Sequence, residues 1–135
     1  NLELLIKSLN IEDSVKLKGL CARQTIAATL KRSDAFVLAS RSETFGVAYI
    51  EALSCGVPVI ATKCGGPEAF VHKGNGILVP VDDEEALLDA MKTMYRNKDR
   101  YDRKQIAAET AMKFSPDAVA SELEEVYRKV IDRAK

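Results

Sequence analysis

The chain has 135 residues, 47% hydrophobic and 30% charged, with 20 basic and 20 acidic side chains that leave a formal net charge of zero. That balance suits one soluble globular domain able to bury a core and excludes an intrinsically disordered chain. No basic block interleaved with aromatics tracks a phosphate backbone, and no apolar run approaches the roughly 20 residues that span a bilayer, so neither nucleic acid nor an integral membrane role is expected.

Taken in chain order, Leu2, Leu5, Ile6 and Leu9 follow helical spacing, and Val15 to Leu17 reads as a short strand ending at Gly19. The chain opens inside that helical pattern without an initiator Met, which reads as a fragment of a longer protein. Thr25 to Arg32 has a helical pattern, and Ala35-Phe36-Val37-Leu38-Ala39 is a continuous apolar run of strand length. Such runs suit parallel strands buried on both faces. A short helix from about Phe45 to Ser54 is stopped by Gly56 and Pro58, and Val57 to Ala61 is the next buried strand. A Gly65-Gly66-Pro67 turn, a short helix around Glu68 to His72 and a strand from Gly76 to Pro80 continue the alternation. Asp82 and Glu85 have capping-box spacing ahead of a helix over Ala86 to Arg96. A helix from about Arg100 to Lys113 follows. Ser115 and Pro116 open the last one, with Val119, Leu123, Val126, Tyr127 and Val130 as its apolar stripe. Strands alternating with helices predict an α/β fold with a Rossmann-like parallel sheet flanked by helices, in one domain over 1–135.

Ligand crevices of parallel sheets lie outside the carboxyl ends of the strands. Ser40 to Gly46 occupies such a loop, in the stretch "SRSETFGVAYIEAL". Phe45 and Gly46 would open a helix whose free N–H groups and positive dipole end suit an anion such as a diphosphate, with Gly46 letting the backbone approach it closely. Glu51 is the sole charged residue between Thr44 and Thr62. It lies on a flank shared with Val47, reads as a buried carboxylate in need of a partner, and could accept two hydrogen bonds from a ribose diol. Structural accounts stand beside these: Glu43 as a helix N-terminal acid, Glu51 as one half of an ion pair.

Other residues carry plainer expectations. His72 is expected to be solvated in a polar loop without a nearby partner. The acids from Asp82 to Glu85 belong to a helix start before a metal site. Cys21, Cys55 and Cys64 lack CxxC spacing, which argues against a disulfide framework or zinc and fits a reducing cytoplasm; Cys55 reads as a small buried residue and Cys64 as a loop residue. Arg41 and Lys63 are the nearest cations for extra phosphate contacts, with surface roles favoured. Glu124 with Arg128, and Glu125 with Lys129, are i,i+4 surface pairs.

Four features in order now identify a resemblance: Glu43 and Glu51 with seven residues between them and Phe45-Gly46 just inside the first, the Gly56 to Thr62 strand, the loop Gly65-Gly66-Pro67-Glu68, and the strand Asn75 to Pro80. Over roughly Val15 to Tyr127 the chain resembles the donor-binding, C-terminal half of group 1 glycosyltransferases, the retaining class with the two-domain GT-B fold. The resemblance implies that Glu43 is the catalytic-site acid touching the transferred sugar. Thr44, Phe45, Gly46 and Val47 would contact the donor, the last three through backbone amides on the diphosphate, and Glu51 would hold the ribose hydroxyls. Gly19 and Leu20 match a loop bordering the base. Gly65 and Gly66 are expected to serve turn geometry, with close approach to the ligand as the lesser alternative. A nucleoside-diphosphate sugar is the implied donor, with no metal and no other cofactor, and a saccharide or glycolipid the acceptor, in polysaccharide or glycolipid synthesis.

The resemblance also implies an N-terminally truncated domain. The family's diphosphate-binding Arg and Lys, the first two strands of the donor domain and the acceptor-binding domain have no counterpart in the sequence, so this chain alone is expected to be inactive. Peripheral membrane attachment of the full-length protein and self-association of a truncated sheet remain open. So do three other readings: a sugar-nucleotide epimerase or phosphorylase of the same fold, an inactive nucleotide-binding relative, and a flavodoxin-like non-catalytic nucleotide- or partner-binding module. A phosphoacceptor module would need an Asp at a strand's carboxyl end, where the chain has Ala39-Ser40 and Ala61-Thr62.

Overall fold

A computed structural model describes residues 1–133. Its centre is a parallel sheet in the order β1 (Phe36–Leu38), β2 (Val59–Thr62), β3 (Gly76–Val79), with Phe36 opposite Val59 and Val59 opposite Gly76. The side chains of β2 alternate between two apolar layers. Val59 and Ala61 pack with Tyr49, Ala52 and Leu53 of α3 (Val47–Ser54) and Ile106 of α5 (Arg103–Phe114), while Ile60 packs with Ala90 and Met94 of α4 (Glu84–Asn97). Helices cover both faces, so every residue of β2 is buried and its sequence is apolar throughout. The α/β fold with a parallel sheet flanked by helices is the one the sequence predicts.

Three elements depart from expectation. Val15 to Leu17 is no strand: among the described residues it finds no ladder partner, all three residues are exposed, and an extended segment without a neighbour leaves its backbone groups to water. The helix expected near Glu68 is a 3-10 turn at Gly66–Ala69, tied by Gly65 N–H donating to Glu68 Oε2 at 2.6 Å. Beyond it the chain loops because the buried Asn75 side chain holds the backbone, accepting from His72 N–H at 2.8 Å and donating to Phe70 O at 2.9 Å. Third, α4 starts one residue later in its cap: Asp83, not Asp82, accepts from Ala86 N–H at 2.8 Å, because that spacing places the carboxylate over the third helical amide.

Of the remaining helices, α1 (Leu2–Ser8) and α2 (Arg23–Arg32) precede the sheet. α5 begins at Arg103 after a 3-10 turn, because Asp102 caps it with bonds of 3.0 Å from Lys104 and Gln105 N–H. α6 (Pro116–Arg133) starts where expected, Ser115 Oγ accepting from Ala118 N–H at 3.2 Å, yet none of its residues is buried.

Candidate functional site

The loop after β1 is fastened from three sides before it reaches Glu43. Thr62, the last residue of β2, donates its hydroxyl to Ser40 O. The Tyr49 hydroxyl comes up from α3 to donate to Leu38 O at 2.6 Å, its ring edge-on to Phe36. Arg41 Nε donates to Asp82 Oδ1 at 2.8 Å, linking this loop to the one that starts α4. The Asp82 carboxylate holds the Arg41 guanidinium above its ordinary pKa, and Asp82 adopts a left-handed backbone (φ +56°) to reach it.

Glu43 is then pinned by both of its backbone groups. Its N–H donates to Cys64 O at 3.3 Å and its C=O accepts from Gly66 N–H at 2.8 Å, a single parallel bridge across to Gly65. Gly66 is there because the backbone of Phe45 passes so close that a Cβ would lie 2.5 Å from it. The half-buried Glu43 carboxylate accepts from Ser40 Oγ at 3.0 Å through Oε1.

The helix begins later than the sequence suggests. Gly46, rather than Phe45, is the N-cap of α3, in a left-handed conformation (φ +89°). A Cβ on Gly46 would lie 2.8 Å from the buried Tyr49 ring, so glycine is demanded here by backbone and packing together. No side chain caps α3, and among the described residues the N–H groups of Val47 and Ala48 have no protein acceptor. Two unpaired donors at the positive end of a helix dipole are an anion site in waiting. Thr44 and Val47 are exposed at its rim. The Phe45 ring, half-exposed, turns away from the helix to meet Phe70 and Phe114 edge-on, with centroids 6.2 and 5.8 Å apart.

Glu51 shares its flank of α3 with Val47, as the spacing predicts, but it is not buried: α3 turns Tyr49, Ala52 and Leu53 to the core and Glu51 to solvent. Its neighbour is Arg23, the first residue of α2, with Nη2 3.9 Å from Glu51 Oε1. The pair sits on a largely apolar groove of about 400 Å³ between α2 and α3, lined by Ile26, Leu30, Ile50 and Cys55 among others. Gly19 and Leu20 lie in the loop before α2, Leu20 fully exposed, a few residues from Arg23. A second cleft, of about 420 Å³, opens at the strand ends on the α4 side, between Ala39, Arg41, Thr62, Pro80, Asp82 and Leu87. Neither Glu43 nor Glu51 lines it.

The structure therefore places Glu43 and the amides from Phe45 to Ala48 around the start of α3 and Glu51 further along its exposed flank, facing Arg23, with Gly19 and Leu20 in the loop that leads to α2. Two residues of this arrangement carry no signal of their own in the sequence. Ser40 holds Glu43, and Arg23 faces Glu51; only the fold brings the latter near. His72 is not solvated alone: its Nε2 lies 3.6 Å from Glu109 Oε2 on α5 and its Nδ1 accepts from Gly74 N–H at 3.1 Å. Lys63 is exposed, all three cysteines are free thiols, and Cys55 and Cys64 are half-buried. Among the described residues no three His, Cys, Asp or Glu side chains converge on a common point, and no helix is long and apolar enough to cross a membrane.

Comparison with known proteins places the family and the fold. Residues 1–112 match the family described as glycosyl transferases group 1. N-acetyl-alpha-D-glucosaminyl L-malate synthase of Bacillus anthracis is 32% identical over 130 residues, a match covering 94% of this chain and 34% of that protein. Sucrose-phosphate synthase from Thermosynechococcus elongatus superposes with a TM-score of 0.84 at 28% identity, over 98% of this chain and 34% of its own. Anabaena HepE, solved in complex with UDP, superposes with a TM-score of 0.83 at 26% identity, over 95% and 36%; it has also been solved with UDP-glucose. The chain thus spans about a third of the length of these relatives. It belongs to the group 1 glycosyl transferases.

Proposed function

We propose that these residues bind the donor, a nucleoside-diphosphate sugar, for glycosyl transfer with retention of configuration. The observation that carries this reading is the end of α3. The open Val47 and Ala48 amides, with the Phe45 and Gly46 backbone beside them, receive the diphosphate and take up the negative charge that grows on it as the sugar departs, an oxyanion-hole task done by fixed dipoles rather than by a metal. Glu43, oriented by Ser40, accepts hydrogen bonds from the sugar's hydroxyls beside the breaking bond. Glu51, on the exposed flank of α3, accepts from the ribose diol. Gly19, Leu20 and Arg23 border the base. The UDP and UDP-glucose complexes of HepE, a protein 26% identical to this chain, support a uridine nucleotide as the donor's handle.

Transfer to a saccharide or glycolipid acceptor is proposed for the whole protein, of which this chain supplies the donor side. Calorimetric titration of the chain with UDP, GDP and ADP tests the reading. Saturable 1:1 binding of one of them is expected, without hydrolysis or transfer when the corresponding nucleotide-sugar is supplied. A cooperatively folded chain that binds none of the three would contradict it.

A further inference from the structure

β1 ends at Leu38, and beyond it side chains take over from the strand ladder in placing the backbone that leads to Glu43. Two of them hold carbonyls on either side of Ala39: the Tyr49 hydroxyl donates to Leu38 O at 2.6 Å, and the Thr62 hydroxyl donates to Ser40 O. Between them they fix the segment from which Ser40 Oγ reaches Glu43 Oε1 at 3.0 Å. Thr62 belongs to β2, so the sheet itself positions it. Tyr49 comes instead from α3, the helix whose first amides form the anion end of the site.

Tyr49 bears on that anion end as well. Its ring lies against Gly46, the N-cap of α3, so closely that a Cβ there would sit 2.8 Å from Cδ2 and 3.3 Å from Cε2. The same ring meets Phe36 of β1 edge-on, with centroids 5.7 Å apart and planes at 87°. The side chain has no exposed surface, and this chain's own residues supply all of that cover. Packing alone would be served by a phenylalanine; a hydroxyl taken into a dry interior must find a partner. Its surroundings are those of Glu43. Burial raises the phenol's pKa, Ser40 lowers it, Cys64 and Glu43 raise it and Thr62 lowers it, which sets the hydroxyl among the groups that frame the acid.

We propose that Tyr49 is a positioning residue for sugar recognition, a strut whose ring bears on the diphosphate end of the site at Gly46 and whose hydroxyl holds the loop that aims Glu43. This role rests on the donor reading given above. Because the ring is rigid, it fixes the start of α3 relative to the end of β1, and so the amides relative to the acid. Removing the hydroxyl leaves the ring on Gly46 and the amides in place. Leu38 O is released, and Ser40 loses one of the two ties that direct it at Glu43. Sugar recognition then weakens while nucleotide binding persists.

Calorimetric titration of UDP and UDP-glucose into the parent chain, Tyr49→Phe, Glu43→Ala and the double variant tests this. Tyr49→Phe should weaken UDP-glucose about three- to tenfold, the scale of one lost hydrogen bond, and change UDP affinity by less than about twofold. In the Glu43→Ala background the same substitution should no longer weaken UDP-glucose, since the acid it positions is gone. A core residue without this role would affect both ligands alike, and its effect would add to that of Glu43→Ala. A parent chain that binds neither ligand overturns the donor reading and this role with it. A parent that binds both, with Tyr49→Phe keeping the parent's ratio of affinities or with losses that add to those of Glu43→Ala, overturns the role of Tyr49 alone.

Discussion

Gly46→Ala should be among the most damaging one-carbon changes in the domain. Gly46 caps α3 at φ +89° and has the buried Tyr49 ring where a Cβ would go, 2.8 Å from Cδ2. Holding a non-glycine residue in that backbone region costs about 1–3 kcal/mol. Overlap with the ring adds roughly 1–3 kcal/mol, because Tyr49 has no exposure and cannot swing aside without breaking its bond to Leu38 O. Together these give about 2–6 kcal/mol, which for a domain of this size lowers the melting temperature by about 3–5 °C per kcal/mol. Gly19→Ala separates the two contributions: Gly19 also has positive φ (+61°), but a Cβ there meets nothing within 4 Å, so only the backbone cost of about 1 kcal/mol applies. Urea and thermal unfolding of both variants check this. A Gly46→Ala protein within about 0.5 kcal/mol of the parent, or no worse than Gly19→Ala, would refute the packing at the start of α3.

Asn75→Ala removes both bonds that hold the Phe70 to Asn75 loop and should cost about 2–4 kcal/mol in urea unfolding, as His72 N–H and Phe70 O lose their partner. Tyr49→Phe should cost about 1–2 kcal/mol at neutral pH by stranding Leu38 O. Its pH dependence has a definite sign. Burial raises the Tyr49 pKa, as it does that of Tyr101, so the neutral phenol's stabilisation is complete below the unfolded value of about 10 and is lost as pH rises through the folded one. Stability curves between about pH 8 and about pH 11 should therefore show the gap between parent and Tyr49→Phe closing at the alkaline end.

The sheet was legible because β1 and β2 are continuous apolar runs of strand length, although only β2 is buried on both faces while Val37 of β1 is exposed and Phe36 and Leu38 are half-buried, and α6 because Ser115, Pro116 and the apolar stripe mark its start and period. Val15 to Leu17 looked equally strand-like, but a strand is made by its neighbour, and the local pattern says nothing about whether one is present. The 3-10 turn at Gly66 came from competition between helix propensity and two local side-chain bonds, from Glu68 and Asn75, which periodicity does not register. At the candidate site, Glu43, Gly46 and Glu51 were readable from their spacing around the start of α3. The exposure of Glu51 was not, since an apolar segment suggests burial without saying which face of a short helix meets the sheet. Arg23 and the Glu109 neighbour of His72 depend on tertiary packing between elements far apart in sequence, as does the Arg41–Asp82 pair.

The two-acid assignment is tested most directly by titrating UDP and UDP-glucose into the parent chain, Glu51→Ala and Glu43→Ala. Glu51→Ala should weaken both ligands by about 1–3 kcal/mol, the loss when a charged hydrogen-bond partner is removed. Glu43→Ala should leave UDP affinity unchanged and weaken only UDP-glucose, because its partner is the sugar. Equal effects of the two substitutions on both ligands, or UDP binding untouched by Glu51→Ala, would contradict the placement of the sugar at Glu43, ahead of α3, and of the ribose at Glu51, along it.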